Sequence, residues 1–137
     1  MFSIGAASRK TGIKIPTIRY YETEGLASPS ERSSGNQRRY SPPDIARLTF
    51  IKHARDLGLK LDDIRELLHL SANPDQPCAV ANKIAADHLV AVQERIAKLQ
   101  ALETELSRIA HGCTGKTVGE CYVIEALSDH ALCQQGH

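Results

Sequence analysis

The chain has 137 residues, enough for one compact domain with an appendage but not for two ordinary cores. Hydrophobic residues make up 42% and charged residues 24%, and no apolar run approaches the ~20 residues of a membrane span, so we expect a soluble protein without a membrane partner. The net charge of +1 hides an asymmetry: residues 1–60 hold eleven Lys and Arg against five Asp and Glu, and residues 61–137 hold six against eleven. Only the N-terminal part is therefore suited to a polyanion.

Two short helices are predicted at the N-terminus. Ser3 is a suitable cap for a first helix that runs from Ile4 towards Lys10, and Gly12 suits the turn that ends it. A second helix begins near Pro16, because proline is favoured in a first helical turn. Two short helices joined by a glycine-containing turn are typical of a helix-turn-helix. The residues expected to face inward are Ile18, Tyr21 and Leu26.

Residues 27–39 are rich in Ser, Pro, Gly and Arg and have no apolar period, which predicts a loop or a short hairpin. Its arginines make it a candidate wing. A third helix follows, with Ser41 as its cap, Pro42 in its first turn, Asp44 three residues after the cap and Gly58 at its end. The apolar stripe predicted for this helix consists of Ile45, Leu48, Ile51, Ala54 and Leu57.

A fourth helix has Asp62 and Asp63 in its first turn and an apolar face of leucine and isoleucine side chains. The following stretch, SANPDQP at 71–77, breaks the helical pattern. We therefore expect an N-terminal head that spans residues 1–77.

Residues 79–110 contain neither Gly nor Pro, and their apolar residues recur at helical intervals, which predicts one helix ~48 Å long. A lone helix cannot bury such a stripe against itself, so the simplest partner is the same helix of a second subunit. The alternative is that the helix folds back on the head. We assign 78–110 as a dimerisation helix, and 111–137 as a loop, a short helix at 121–129 and a polar tail. The stripe consists of Ile84, Leu89, Val92, Ile96, Leu99, Leu102, Leu106 and Ile109.

The basic excess coincides with the helix-turn-helix, which favours double-stranded DNA as the partner over a merely solvated surface. A recognition helix presents side chains to the major groove, and those available in and just before the second helix are Lys14, Thr17, Arg19 and Tyr20. The candidates for contacts with the DNA backbone are Arg32, Arg38, Arg39, Tyr40 and Arg55.

The chain contains four cysteines, and Met1 to Thr11 lacks the basic leader and long apolar stretch of a signal peptide, so we expect a cytoplasmic protein. Disulfides are rare there, and the cysteines are better suited to hold a metal or to sense redox state. Cys113 and Cys121 flank the seven-residue loop TGKTVGE. Cys78 lies at the other end of the long helix, ~50 Å from Cys113 in one subunit. An antiparallel pair of helices brings Cys78 of one subunit beside Cys113 and Cys121 of the other, whereas a parallel pair does not.

Cys78 and Cys121 each begin a predicted helix, where the dipole favours the thiolate that binds metal. Three thiolates suit a soft divalent ion such as Cd, Pb or Hg, and Zn with a fourth ligand. The candidate accessory ligands are His111, Cys133 and His137. Their alternative roles are dipole compensation at a helix end for His111 and an unstructured tail for the other two.

Three runs of the sequence, IGAASRKTGIKIPTIRYYETEGL, RSSGNQRRY and FIKHARDLGLKLDDI, resemble the MerR family of transcriptional regulators, and the similarity extends along the whole chain. It implies a mainly α fold with a winged helix-turn-helix head and an antiparallel coiled-coil dimer. It also implies activation of RNA polymerase at a promoter whose long spacer is untwisted and bent when the effector binds. The sequence departs from many relatives at Gln37, where they have an aromatic residue, and at Arg39, where they have a hydrophobic or small one.

The family resemblance also bears on the metal. Zinc, cadmium and lead sensors of the family carry a cysteine that matches Cys78, within a segment similar to NPDQPCAVAN, whereas the copper(I) branch usually has serine there. We therefore expect Zn, Cd or Pb as the effector and a metal-resistance or efflux promoter as the target. A copper(I) sensor, with a similar loop spacing, and a thiol-redox regulator of the same fold remain alternatives, as does a cysteine-based metal buffer or chaperone. No catalytic triad, phosphate loop or clustered acid pair is visible in the sequence, so we expect no enzyme.

Overall fold

A computed structural model of the protein describes residues 1–112 and 117–129, and the chain forms two compact units, Met1–Ile84 and Ala85–His137. The described part is mainly helical, with one small sheet, and so confirms the predicted winged helix-turn-helix head and long helix. No helix within it has the length and apolar character needed to cross a membrane. The elements in chain order are β1 (Phe2–Ser3), α1 (Ile4–Thr11), α2 (Ile15–Thr23), β2 (Glu31–Arg32), β3 (Arg38–Tyr40), α3 (Pro42–Asp56), α4 (Leu61–Ser71), α5 (Ala79–His111), a 3₁₀ turn (Val118–Glu120) and α6 (Tyr122–Ser128).

Helices α1 and α2 begin and end where local chemistry predicts. The Ser3 hydroxyl accepts a hydrogen bond from the backbone N–H of Ala6 at 3.1 Å. Gly12 ends α1 at φ 75°, a left-handed conformation that glycine adopts without steric cost, and its N–H bonds to the carbonyl of Ser8. Pro16 lies in the first turn of α2. The short turn between them fixes α2 against α1, as expected for a helix-turn-helix.

The segment predicted as a loop or hairpin is a hairpin, and it belongs to a three-stranded antiparallel sheet in the order β1-β3-β2. Glu31 pairs with Arg39, and on the other side of β3 Phe2 pairs with Tyr40. Strand β1 was not predicted, because its two residues are too few to show the alternation of polar and apolar side chains that indicates a strand. Its pairing ties the wing to the N-terminus of the chain.

Helix α3 starts with a complete capping box, in which Ser41 and Asp44 each bond to the other's backbone N–H. Partial burial alone would raise the pKa of Asp44, but hydrogen bonds from Ser30 and Ser41 outweigh it and lower that pKa. The backbone N–H of Ser30 reaches the Asp44 carboxylate at 3.0 Å, so the same side chain also anchors the start of the wing.

The sequence predicted that Leu57 joins the apolar stripe of α3. That prediction is wrong. The helix ends at Asp56, and the turn that follows leaves Leu57 70% exposed. Leu59, beyond Gly58 at φ 85°, is buried in its place. The prediction failed because each three-residue step rotates by about 60° around a helix, which carries Leu57 to the side opposite Leu48.

The core of the first unit combines side chains from all four short helices with Tyr40 of the wing and Ile84 of α5. Its largest fully buried side chains are Tyr40, Ile18, Leu26, Leu48, Ile51 and Ile64. The unit thus ends inside α5, at a residue that is itself part of the core.

The second unit contains the rest of α5 together with α6. Ile109 and Ala126 are buried there, as is the carboxylate-bearing side chain of Glu105. Along the rest of α5 the apolar side chains are open to solvent: Leu99 is 58% exposed and Leu106 65%. The exposed apolar residues at helical spacing, which we call the α5 stripe, are Leu89, Val92, Ile96, Leu99 and Leu106. Nothing in the described chain covers this stripe.

Candidate nucleic-acid interface and metal ligands

Helix α2 has one side buried in the core and polar side chains on its exposed side. Ile18 and Tyr21 are buried in the core, which fixes the rotation of the helix. Lys14, Arg19 and Tyr20 are exposed. The helix therefore offers two cations and a phenol on one solvent-facing surface, the arrangement that a recognition helix uses in a groove.

The start of α2 lies beside the end of α3. Side chains from both helices line a shallow cleft of about 200 Å³. Lys14 and Thr17 form one wall, and Lys52, Arg55 and Asp56 form the other. The structure thus brings together three residues that the sequence analysis selected at separate places, namely Lys14, Thr17 and Arg55. Arg55 also donates to the carbonyl of Leu59 at 2.9 Å, which restrains its guanidinium.

Tyr40 has no exposed surface, so it cannot contact DNA in this structure, contrary to the prediction. Its hydroxyl donates to the carboxylate of Glu22 on α2. Burial and this hydrogen bond raise the pKa of Tyr40, so the phenol remains a neutral donor. Tyr40 is a core residue that fastens the wing to the recognition helix.

Arg38 also binds the carboxylate of Glu22. Its Nε donates to Glu22 at 2.7 Å, and both side chains are largely shielded from solvent. The hydrogen bond to Glu22 raises the pKa of Arg38 despite partial desolvation. Arg38 is therefore engaged by Glu22 through Nε, and its contact with the DNA backbone stays a prediction. The helix and the wing meet at a single anionic side chain.

The other two wing arginines face outward to different degrees. Arg32 is exposed, and its guanidinium lies 3.4 Å from the carbonyl of Asn36 across the hairpin. Arg39 is half-buried and pairs in register with Ser3 and Glu31. Arg32 and Arg39 therefore stay candidates for contact with the DNA backbone.

Two arginines that sequence reasoning left unassigned hold the turn after α2. Arg47 of α3 donates to the carbonyl of Leu26 at 2.5 Å, and Arg65 of α4 donates to that of Glu24 at 2.8 Å. Their contacts span 21 and 41 residues, so no local pattern could have revealed them. Part of the basic content of the head therefore also supports the fold.

The structure describes two of the three principal candidate metal ligands. Cys78 is exposed directly before α5, and its carbonyl accepts the N–H of Asn82 at 2.9 Å. Cys121 is half-buried directly before α6, and its carbonyl accepts the N–H of Glu125 at 3.1 Å. Both thiols thus lie directly before a helix, as the sequence predicted. Within the described ranges no three His, Cys, Asp or Glu side chains converge on one point.

Cys113, Cys133 and His137 lie outside the described residues. His111 is described, and its Nδ1 lies 2.7 Å from the carbonyl of Ser107. This contact engages Nδ1 and leaves Nε2 outside it. The ring therefore caps the last turn of α5, as expected of a histidine at a helix C-terminus, and retains one nitrogen that could bind a metal.

Comparison with known proteins gives similarity over most of the chain. Residues 2–70 match the family described as "MerR HTH family regulatory protein", and residues 45–109 match "MerR, DNA binding". The chain is 36% identical over 134 residues to the HTH-type transcriptional regulator ZntR of Escherichia coli K12, covering 96% of this chain and 95% of ZntR. It is 33% identical to heavy metal-dependent transcription regulator 2 of Rhizobium meliloti, over 93% of this chain and 86% of that protein.

A solved structure is also similar. The transcription regulator PbrR691 from Ralstonia metallidurans, crystallised in complex with lead(II), superposes with a TM-score of 0.80 at 35% identity. The match covers 93% of this chain and 99% of PbrR691. The likeness therefore includes the long helix and not only the head.

The role of Glu22 can be tested by removing its charge. We expect Glu22→Gln to lower the free energy of unfolding by about 1 to 2 kcal/mol, because Arg38 loses its charged acceptor in a partly buried setting. The matched control is Glu24→Gln, whose carboxylate lies 3.8 Å from Arg65 on the exposed surface and should cost under about 0.5 kcal/mol. Urea unfolding followed by circular dichroism measures both. Equal stabilities for the two variants would contradict the structural role given to Glu22.

Proposed function

Since the chain belongs to the MerR family of helix-turn-helix transcriptional regulators, which are DNA-binding proteins and not enzymes, we propose that it is a cytoplasmic, homodimeric sensor of a soft divalent metal ion. The observation that carries this proposal is the placement of Cys78, an exposed thiol at the N-terminus of α5. A cysteine at this position would supply a third thiolate to a site that also contains Cys113 and Cys121. The lead(II) complex of PbrR691 and the description of the Rhizobium relative as heavy metal-dependent support it.

The proposed DNA interface has α2 in the major groove. Arg19 and Tyr20, exposed on a helix whose inner face is fixed by the core, are placed to reach base edges. Lys14 and Thr17, with Arg55 beside them, would contact phosphates next to the groove. Arg32 and Arg39 of the wing would bind the neighbouring backbone. Tyr40 acts behind this surface, through Glu22.

We expect Arg19→Ala to weaken operator binding by ~1 to 3 kcal/mol and to relax specificity at one base pair if Arg19 reads a base. If it contacts phosphate only, affinity should fall equally on all sequences. Fluorescence anisotropy with operator and scrambled duplexes distinguishes the two. Arg95→Ala, which removes the same charge from an exposed position on α5, is the control. Operator affinity unchanged in Arg19→Ala would rule out the proposed docking of α2.

The proposed dimer buries the α5 stripe against the same stripe of a second copy. Its members are spaced three, four, three and seven residues apart and lie on one side of a 33-residue helix. We propose an antiparallel arrangement, because Cys78 precedes α5 and Cys113 and Cys121 follow it. Only that arrangement puts the thiols of both ends at one place, with one site at each end of the dimer.

The proposed metal site combines Cys78 of one subunit with Cys113 and Cys121 of the other. Three thiolates around a 2+ ion leave a net charge of only −1. Two thiolates alone would suit a linear monovalent ion better than a trigonal or tetrahedral divalent one. Cys78 is therefore the residue that would favour Zn, Cd or Pb over copper(I). His111, whose Nδ1 lies against the carbonyl of Ser107, is a candidate fourth ligand through Nε2.

We propose that metal binding activates a metal-resistance or efflux promoter. In this scheme the dimer binds the promoter with and without metal, and the metal-bound form untwists and bends the spacer so that RNA polymerase can use it. The energy of DNA deformation is then the quantity that the effector controls.

A shared site can be tested with mixed dimers. A Cys78→Ser subunit keeps Cys113 and Cys121, and a Cys113→Ser subunit keeps Cys78, so their heterodimer has one intact site while each variant homodimer has none. We expect the heterodimer to bind one Cd²⁺ per dimer, the wild type two and the homodimers none, measured by thiolate-to-cadmium absorption. Operator binding by the metal-free variants should stay near that of the wild type, because the head is unchanged.

The controls address the alternatives. Copper(I), titrated under reducing conditions, should bind Cys78→Ser if the two loop cysteines form a linear site. Heterodimers that bind no cadmium while the wild type binds two would contradict the cross-subunit geometry. Wild-type protein that responds in transcription to oxidant but to no metal would favour the redox regulator.

A further inference from the structure

The end of α5 and the start of α6 are in direct contact. A Cβ atom built on Gly112 would lie 2.5 Å from Cδ1 and 2.7 Å from Cε1 of Tyr122. Real Cβ atoms do not approach other atoms this closely, so the ring occupies space that only glycine leaves open. The backbone at Gly112 and the ring of Tyr122 are therefore in close contact.

The same tyrosine is held by a polar contact. Arg108, one turn before Gly112 on α5, donates to the Tyr122 hydroxyl, and its guanidinium carbon lies 5.8 Å from the ring centroid. Arg108 is in turn held by Glu105, whose side chain is almost fully buried. A hydrogen bond to a charged donor is stronger than a neutral one, so the hydroxyl has a well-defined position.

Apolar burial completes the contact. Ala126 of α6 and Ile109 of α5 are both buried within the second unit. Helix α6 has only seven residues and would not be stable by itself. Its attachment to α5 therefore depends on Tyr122 and Ala126.

We propose that Gly112, Arg108 and Tyr122 form a clasp that holds the two ends of segment 113–121 together before any metal binds. Cys113 follows Gly112 and Cys121 precedes Tyr122 in the sequence, so the two residues in contact are the chain neighbours of the two cysteines. The inference rests on the proposed function, in which these cysteines are ligands. The three clasp residues are positioning residues and do not touch the metal.

The clasp raises metal affinity by reducing the conformational freedom that is lost on binding. Without it, the metal itself must close the loop, at a cost that grows with the logarithm of loop length. With it, Gly112 and Tyr122 are already in contact before metal binds, and the gain is that of a preorganised ligand site.

The test is Gly112→Ala in the full-length dimer, with Gly119→Ala as matched control. A Cβ on Gly119 in the same segment would meet nothing nearer than the Thr117 hydroxyl at 4.0 Å. Zinc affinity is measured by competition with a chromogenic chelator. We expect Gly112→Ala to bind zinc roughly 10-fold more weakly than the wild type, because the displaced ring opens the loop. Gly119→Ala should bind like the wild type.

Two tyrosine variants separate the parts of the clasp. Tyr122→Ala should match Gly112→Ala, whereas Tyr122→Phe keeps the ring over Gly112, loses the bond from Arg108 and should fall between them. Hydrogen–deuterium exchange of the α6 amides in metal-free protein gives a second readout. Exchange should be faster in Gly112→Ala and Tyr122→Ala than in the wild type, and operator binding by the metal-free dimer should not change.

The outcomes are distinct for the two proposals. A wild-type protein that binds neither zinc nor cadmium overturns the proposed function and the role of the clasp with it. A wild-type protein that binds zinc, with Gly112→Ala equal to it in affinity and in α6 exchange, overturns the clasp alone.

Discussion

The apolar stripe of α5 is the constraint on which the account of this protein depends. Five large aliphatic side chains lie open to solvent along one helix, and no other part of the described chain covers them. Exposed apolar surface of this extent is unfavourable in water, at roughly 25 cal/mol for each Å² that a partner could bury. A second copy of the helix is the simplest partner. If it pairs antiparallel, the cysteines at opposite ends of one chain complete each other's sites.

In the head, a single carboxylate organises the surface that would read DNA. Glu22 accepts hydrogen bonds from Arg38 and Tyr40 of the wing. It belongs to the same helix as Arg19 and Tyr20. The helix and the wing are thus positioned by one shared acceptor. Arg47 and Arg65 fix the turn that follows the helix.

Local signals predicted most of the fold. The caps at Ser3 and Ser41, the glycine at position 12 and the aliphatic spacing of α5 depend on neighbouring residues, and all appear in the structure as expected. Strand β1 and the roles of Tyr40, Arg38 and Arg47 depend on residues distant in sequence, which no local pattern records. The clasp was not predicted for a related reason. In the sequence Gly112 looks like an ordinary loop glycine, and its contact with Tyr122 appears only in the structure.

The oligomeric state tests the central claim most directly. Sedimentation equilibrium compares the wild type with a double variant, Leu99→Glu with Leu106→Glu. The control is Ala97→Glu, which adds one glutamate at an exposed position on the opposite side of α5. We expect the wild type and Ala97→Glu to be dimers and the double variant to be a folded monomer. A double variant that remains dimeric, or a wild type that is monomeric at micromolar concentration, would contradict the assignment of the α5 stripe as the dimer interface.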